Sequence, residues 1–250
     1  MEKKKFFSAR NIAYFAVLLA LEVVLLFFGA AIPVGAGGAS LNFSLIPVVL
    51  GALLLGPVAG AFLGFLAGFV ILMMVIGGMQ GPVFLYLLNY SGFSGFMIVV
   101  VCLLKTTLAG FVSGILYRVL VKKNSWVAVF VASFAAPVVN TGVFILGCLC
   151  MSNAVSVAAT EYPAINVGSA FFIIILVFVT YNFFIELALN LVLAPAIHTI
   201  VKVVEKRTGK KKSVTGEQAQ EQDAPTEDSP EAAPQERAPE IVAPQEEIGE

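Results

Sequence analysis

NFSLIPVVLGALLLGPVAGAFLGFLAG, residues 42–68, decides how the rest of the chain is read. It is almost wholly apolar, yet Gly56, Gly60, Gly64 and Gly68 fall at every fourth position. On a helix that spacing stacks four bare positions along one stripe. In water each Gly would cost the helix about 1 kcal/mol relative to Ala. In a bilayer the lipid offers the backbone no hydrogen bonds, so the helix holds, and the stripe lets another helix approach closely. Gly56-Pro57 divides the stretch into two short helices joined by a tight turn. The stripe serves either packing within the protein or a face that slides against a partner.

Composition places the chain in a membrane. Hydrophobic residues make up 59% of its 250 residues and charged residues 12%, which excludes a soluble globular domain. The net charge of −1 hides a segregation. Residues 1–212 carry 14 of the 15 Lys/Arg and five of the 16 Asp/Glu, a net of +9. Residues 213–250 carry Arg237 and 11 acids, a net of −10. That acidic segment, rich in Pro, Ala, Glu and Gln, cannot bury enough apolar surface to fold alone and is expected to be disordered. Cys102, Cys148 and Cys150 all fall in apolar segments and read as small packing residues.

The expected architecture is all-α, with six transmembrane helices over residues 11–28, 42–55, 57–76, 93–121, 125–151 and 169–201. Residues 1–10 form a basic leader, 11–204 the membrane domain and 205–250 a basic-then-acidic tail. The apolar run after the leader is long enough to span, so it reads as a retained helix rather than a cleaved signal. Gly/Ala-rich residues 29–41 and aromatic-rich residues 77–92 read as loops, and Pro195 is expected to bend the last helix. Lys3–Lys5 and Arg10, then Arg118, Lys122 and Lys123, then Lys202, Lys206, Arg207 and Lys210–Lys212 all fall on one side of a six-span protein. The loops after spans one, three and five hold no Lys or Arg. Both termini are therefore expected in the cytoplasm.

Charge inside a span is costly and usually functional. Glu22, Lys105 and Glu186 are the three such residues. At about 1.5 Å per residue they lie roughly 18, 20 and 24 Å beyond Arg10, Arg118 and Lys202. Asn140 reaches a similar depth, and Thr141 adjoins it. Asn182, Glu186 and Asn190 repeat every four residues and form one polar helix face. Lys105 could pair with Glu186 or Glu22 to hold the bundle together. Alternatively Lys105, Asn140, Thr141, Asn182, Glu186 and Asn190 line an outward-opening substrate pocket between spans four to six. The accompanying amides and hydroxyl favour the pocket. The sole histidine, His198, is expected at the membrane interface, and no metal, cofactor or nucleic-acid partner is expected. RTGKKKS, residues 207–213, lacks the first Gly of a phosphate loop, since Val204 stands there.

Several segments resemble the substrate-binding S components of energy-coupling factor (ECF) vitamin transporters. Ala16-Val17-Leu18-Leu19-Ala20-Leu21 is similar to the A-x-x-x-A signature of helix one. Phe43-Ser44-Leu45-Ile46-Pro47 with Gly56-Pro57-Val58-Ala59-Gly60 resembles the helix two–three signature. Pro137 to Gly142 and Glu186 to Asn190 look like segments of helices five and six. The resemblance covers about residues 8–205. It implies a non-enzymatic protein of the prokaryotic plasma membrane that captures a vitamin from outside. It further implies docking on a transmembrane coupling (T) subunit bearing two ATPases, whose ATP hydrolysis tilts the S component. Ala16, Ala20, Gly56, Gly60, Gly64 and Gly68 would then form the docking face. The texture is most similar to pantothenate members. Leu41-Asn42-Phe43-Ser44 resembles riboflavin members, which tend to carry Asp at the position of Asn42, and the folate-type Asp is replaced by Gly68-Phe69.

Two other readings remain at this point. A stand-alone secondary transporter or channel could use Glu22, Lys105 and Glu186 as a proton relay. An intramembrane serine protease would need a Ser–His pair within the membrane, which His198 lies too near the cytoplasmic face to supply.

Overall fold

The computed structural model describes residues 9–34 and 39–207. Its helices are α1 (Ala9–Ala30), α2 (Leu45–Leu54), α3 (Pro57–Ile76), α4 (Pro82–Tyr90), α5 (Gly92–Leu120), α6 (Ser125–Cys150), α7 (Ser152–Glu161) and α8 (Ala170–Arg207). A short antiparallel pairing sets Pro33 opposite Ser40 between α1 and α2. The expected leader (residues 1–8 of it) and the tail from residue 208 lie outside the described residues, and α8 continues three residues past the expected end of the membrane domain.

Local chemistry sets the boundaries. Gly56 and Gly81 adopt φ of 111° and 92°, and a proline at the next position opens α3 and α4. Only glycine takes those angles without strain, and proline at the first helical position gives up no hydrogen bond. Ser91 and Ser94 cap α5 reciprocally, and the Asn124 side chain accepts from Trp126 N at 2.8 Å and Val127 N at 3.2 Å to start α6.

Among the described residues α1, α3, α5, α6 and α8 are long and apolar enough to cross a membrane. Their outer surfaces carry large apolar side chains such as Val17, Phe62, Phe96, Leu146 and Val192, each more than half exposed. That inside-out pattern fits a multi-pass membrane protein. The expected second span corresponds to α2 and is short. It is a helix of ten residues, about 15 Å long against a hydrocarbon core of about 30 Å. Eight of the ten are buried. Neighbouring helices therefore enclose α2 on most of its surface.

The glycine stripe is also placed differently from the docking expectation. Gly56, Gly60, Gly64 and Gly68 are all buried, and the last three lie against α5. A Cβ on Gly60 would meet Ala52 and the Gly110 carbonyl, one on Gly64 the Thr106 backbone, and one on Gly68 the Cys102 carbonyl. A Cβ on Gly56 would strike the Arg118 guanidinium. The Thr106 hydroxyl donates to the Gly64 carbonyl at 2.5 Å across the same seam. The stripe holds α3 and α5 backbone to backbone and is not open to a partner. On α1, by contrast, Leu18, Glu22, Leu26 and Gly29 face inward, while Ala16 and Ala20 remain exposed.

Three smaller expectations change as well. Part of the 77–92 loop is α4, whose Val83, Phe84 and Leu87 are buried. Cys102 and Cys148 are buried, but Cys150 is exposed. His198 is 2% exposed and stacks on Trp126 at 3.9 Å between ring centroids. The last helix runs through Pro195 to Arg207.

The ends of the bundle differ in charge. A cleft lined by Arg10, Asn11, Tyr14, Leu53 to Leu55, Val204 and Glu205 joins the start of α1 to the ends of α2 and α8. The Tyr117 hydroxyl donates to Glu205 at 3.5 Å, which brings the end of α5 there too. Arg10, Arg118, Lys202, Lys206 and Arg207 therefore gather at one end. At α4 and α7, Tyr86 meets Tyr162 edge-on at 5.8 Å.

Candidate functional site

One cavity lies inside the bundle. Its wall is built from nearly every part of the fold. Leu26 comes from α1, Leu41 and Asn42 from the segment before α2, and Ile71 and Val75 from α3. Gln80 comes from the α3–α4 turn, Phe84 from α4, and Ile98, Val101, Cys102 and Lys105 from α5. Asn140, Thr141 and Phe144 on α6, with Phe178, Val179, Asn182 and Phe183 on α8, complete it. The expected lining by spans four to six under the outer loops is joined by Leu26, Ile71 and Val75 from the first half.

The polar groups sit where sequence placed four of them. Lys105, Asn140, Thr141 and Asn182 all line the cavity. Glu186 and Asn190 do not. Glu186 stands one layer behind, 1% exposed, and accepts from Asn140 Nδ2 at 3.2 Å and Asn182 Nδ2 at 2.8 Å. Asn190, buried a turn further on, donates to the Glu186 backbone carbonyl at 2.8 Å. The two residues share the stripe of Asn182, but the cavity ends at Asn182, so their side chains face neighbouring helices instead.

The expected ion pair of Lys105 with Glu186 or Glu22 is absent among the described residues. The Glu186 carboxylate is held by amides, and both Glu22 carboxyl oxygens are buried without a hydrogen-bond partner, one turn below Leu26. The Lys105 ammonium lies 5.5 Å from the centre of the Phe144 ring. A cation over an aromatic face is attracted by the ring quadrupole, which seats the Lys105 side chain against Phe144 at the wall.

Residues that spacing did not single out supply much of the wall. Phe84, Phe144 and Phe178 form a mutual cluster, with centroids 5.2 Å apart for Phe84–Phe178, 6.1 Å for Phe84–Phe144 and 6.4 Å for Phe144–Phe178. Asn42 accepts from Ser44 N at 3.0 Å and Ser44 Oγ at 2.6 Å, which launches α2 and leaves its Nδ2 without a partner. Its signals in sequence are its place as a lone amide ahead of an apolar run and the resemblance of residues 41–44 to riboflavin members.

The register of α8 depends on a feature that periodicity hides. Residues Ile173–Val179 are wound as π-helix, and the Thr180 hydroxyl donates to the Ile175 carbonyl at 2.7 Å. Such wider turns occur often at functional sites because they re-aim side chains. Here the turn precedes Asn182 and carries Phe178 and Val179 to the cavity wall.

The set as a whole offers a cation, four amides, a hydroxyl and an aromatic wall within an apolar enclosure. That is the composition of a binding site for a small polar molecule. Comparison with curated proteins and with solved structures gives no match. The family model for "ECF transporter, substrate-specific component" matches residues 10–198. With three quarters of its length matched, all-helical architecture and a central polar cavity, the chain belongs to the substrate-specific components of ECF transporters.

Proposed function

We propose that this chain is a high-affinity S component that captures a small water-soluble vitamin from outside, with pantothenate as the first candidate. The observation that carries this reading is the joint placement of Lys105, Asn140, Thr141 and Asn182 on one cavity wall. Pantothenate has a carboxylate for the ammonium, two hydroxyls and an amide for the polar side chains, and a dimethyl group for apolar wall. Riboflavin and folate would make more use of the Phe84–Phe144–Phe178 cluster.

Delivery in this reading proceeds by tilting against a coupling subunit driven by two ATPases, since the described residues hold no nucleotide-binding motif of their own. Ala16 and Ala20 are the docking candidates, because they are small and exposed on the outer face of α1. The buried glycines of α3 leave that role. Six membrane crossings, with α2 and the residues before it as the second, would put both termini on the cytoplasmic side of a prokaryotic plasma membrane. The basic end supports this orientation.

The test is reconstitution. The chain alone in proteoliposomes should bind pantothenate tightly without concentrating it, and accumulation should appear only with the coupling subunit, both ATPases and ATP. Concentrative uptake by this chain alone would overturn the reading in favour of a secondary transporter.

A further inference from the structure

The geometry points to Glu186 as a positioning residue that fixes the hydrogen-bonding polarity of the cavity, so that the ligand must be a small carboxylate or phosphate rich in O–H or N–H donors. This rests on the reading of the chain as a ligand-capturing component. A carboxylate oxygen offers lone pairs only, whereas an Asn amide has an accepting and a donating end. Glu186 accepts from Asn140 Nδ2 and from Asn182 Nδ2, one on each carboxylate oxygen. Both NH2 groups are thereby committed to Glu186, which does not line the cavity. Asn190 Nδ2, bonded to the Glu186 carbonyl, holds the helix turn that carries this carboxylate.

The consequence falls on the other ends. Asn140 Oδ1 and Asn182 Oδ1 are both buried without a hydrogen-bond partner, and both residues line the cavity. A buried acceptor left unmade is costly, and a ligand that donates to it recovers that cost. Two acceptors side by side select against a ligand that presents carbonyl or ether oxygen there. Lys105, the cation of the same wall, takes the anionic end. Glu186 touches no ligand in this arrangement but decides which ligand fits.

The test uses the full chain in detergent with pantothenate and its dideoxy analogue, in which both hydroxyls are replaced by hydrogen. Wild type should prefer pantothenate by about a hundredfold, two hydrogen bonds at roughly tenfold each. In Glu186→Gln the side-chain amide can donate as well as accept, which frees Asn140 and Asn182 to rotate. The preference should then fall to within about threefold, with the analogue bound as in wild type. A purely structural role would weaken both probes together and keep their ratio, and that result overturns the inference. Lys105→Gln should lower both affinities and leave the ratio intact. Should wild type not bind pantothenate, the vitamin assignment fails separately. The small molecule released from denatured wild type, identified by mass spectrometry, and its methylated form then replace the pair. A released molecule lacking O–H and N–H donors or lacking an anionic group, or the release of none, overturns the inference as well.

Discussion

Gly60 and Gly110 face each other across the α3–α5 seam so closely that a Cβ built on either would run into the other's carbonyl oxygen. Backbone cannot swing aside as a side-chain tip can, so any larger residue must move a whole helix. Gly60→Ala should therefore destabilise the protein by about 1–3 kcal/mol despite the better helix propensity of Ala. Gly142→Ala is the contrast: nothing lies within 4 Å of its Cβ position, so it should be neutral or stabilising by up to about 1 kcal/mol. Thermal unfolding in detergent would rank the two. Equal effects would remove the seam from the account.

Asn140→Ala deletes a cavity-lining amide and one of the two hydrogen bonds to a buried carboxylate. Loss of both unfolding stability and ligand affinity is expected, the former by about 1–3 kcal/mol. Thr141→Val keeps shape and packing and should weaken binding alone. Isothermal titration beside a melting curve separates the two effects.

Ala16→Trp and Ala20→Trp place bulk on the exposed face of α1, away from its buried Leu18–Glu22–Leu26 face. Ligand titrations should be unchanged, while co-purification with the coupling subunit should fall at least about tenfold, as hot-spot disruption at a packed interface does. Wild-type recovery of the complex by both variants would take α1 out of the docking surface.

Trp126 is the only tryptophan in the chain and stacks on His198. Its fluorescence therefore reports the contact between α6 and α8 at His198, beside its stacking on Phe130 within α6. His198→Ala should change emission intensity and cost about 0.5–1.5 kcal/mol, the usual worth of an aromatic pair. An unchanged spectrum would mean that the rings do not meet.

Lys105, Asn140, Thr141 and Asn182 were legible because intramembrane polar residues have few benign reasons to exist, and depth along each helix could be counted from the basic residues. Glu186 and Asn190 shared the same stripe, but a four-residue repeat cannot say where a cavity stops. The Phe84, Phe144 and Phe178 cluster was invisible among 21 phenylalanines, most of which could equally face lipid. The glycines gave a correct seam with an undetermined neighbour: spacing shows that something approaches closely and not what. The enclosure of α2 was not legible, because an enclosed apolar helix and a lipid-exposed one have the same composition. The difference lies in what surrounds it, which no local window contains.

The brevity of α2 carries one last consequence. Its end at Leu53 to Leu55 shares a cleft with Arg10, while its start adjoins Asn42 at the cavity wall. One enclosed helix of ten residues thus links the cavity wall to the basic end, so a push at Asn42 is carried to the cleft along a single short rod.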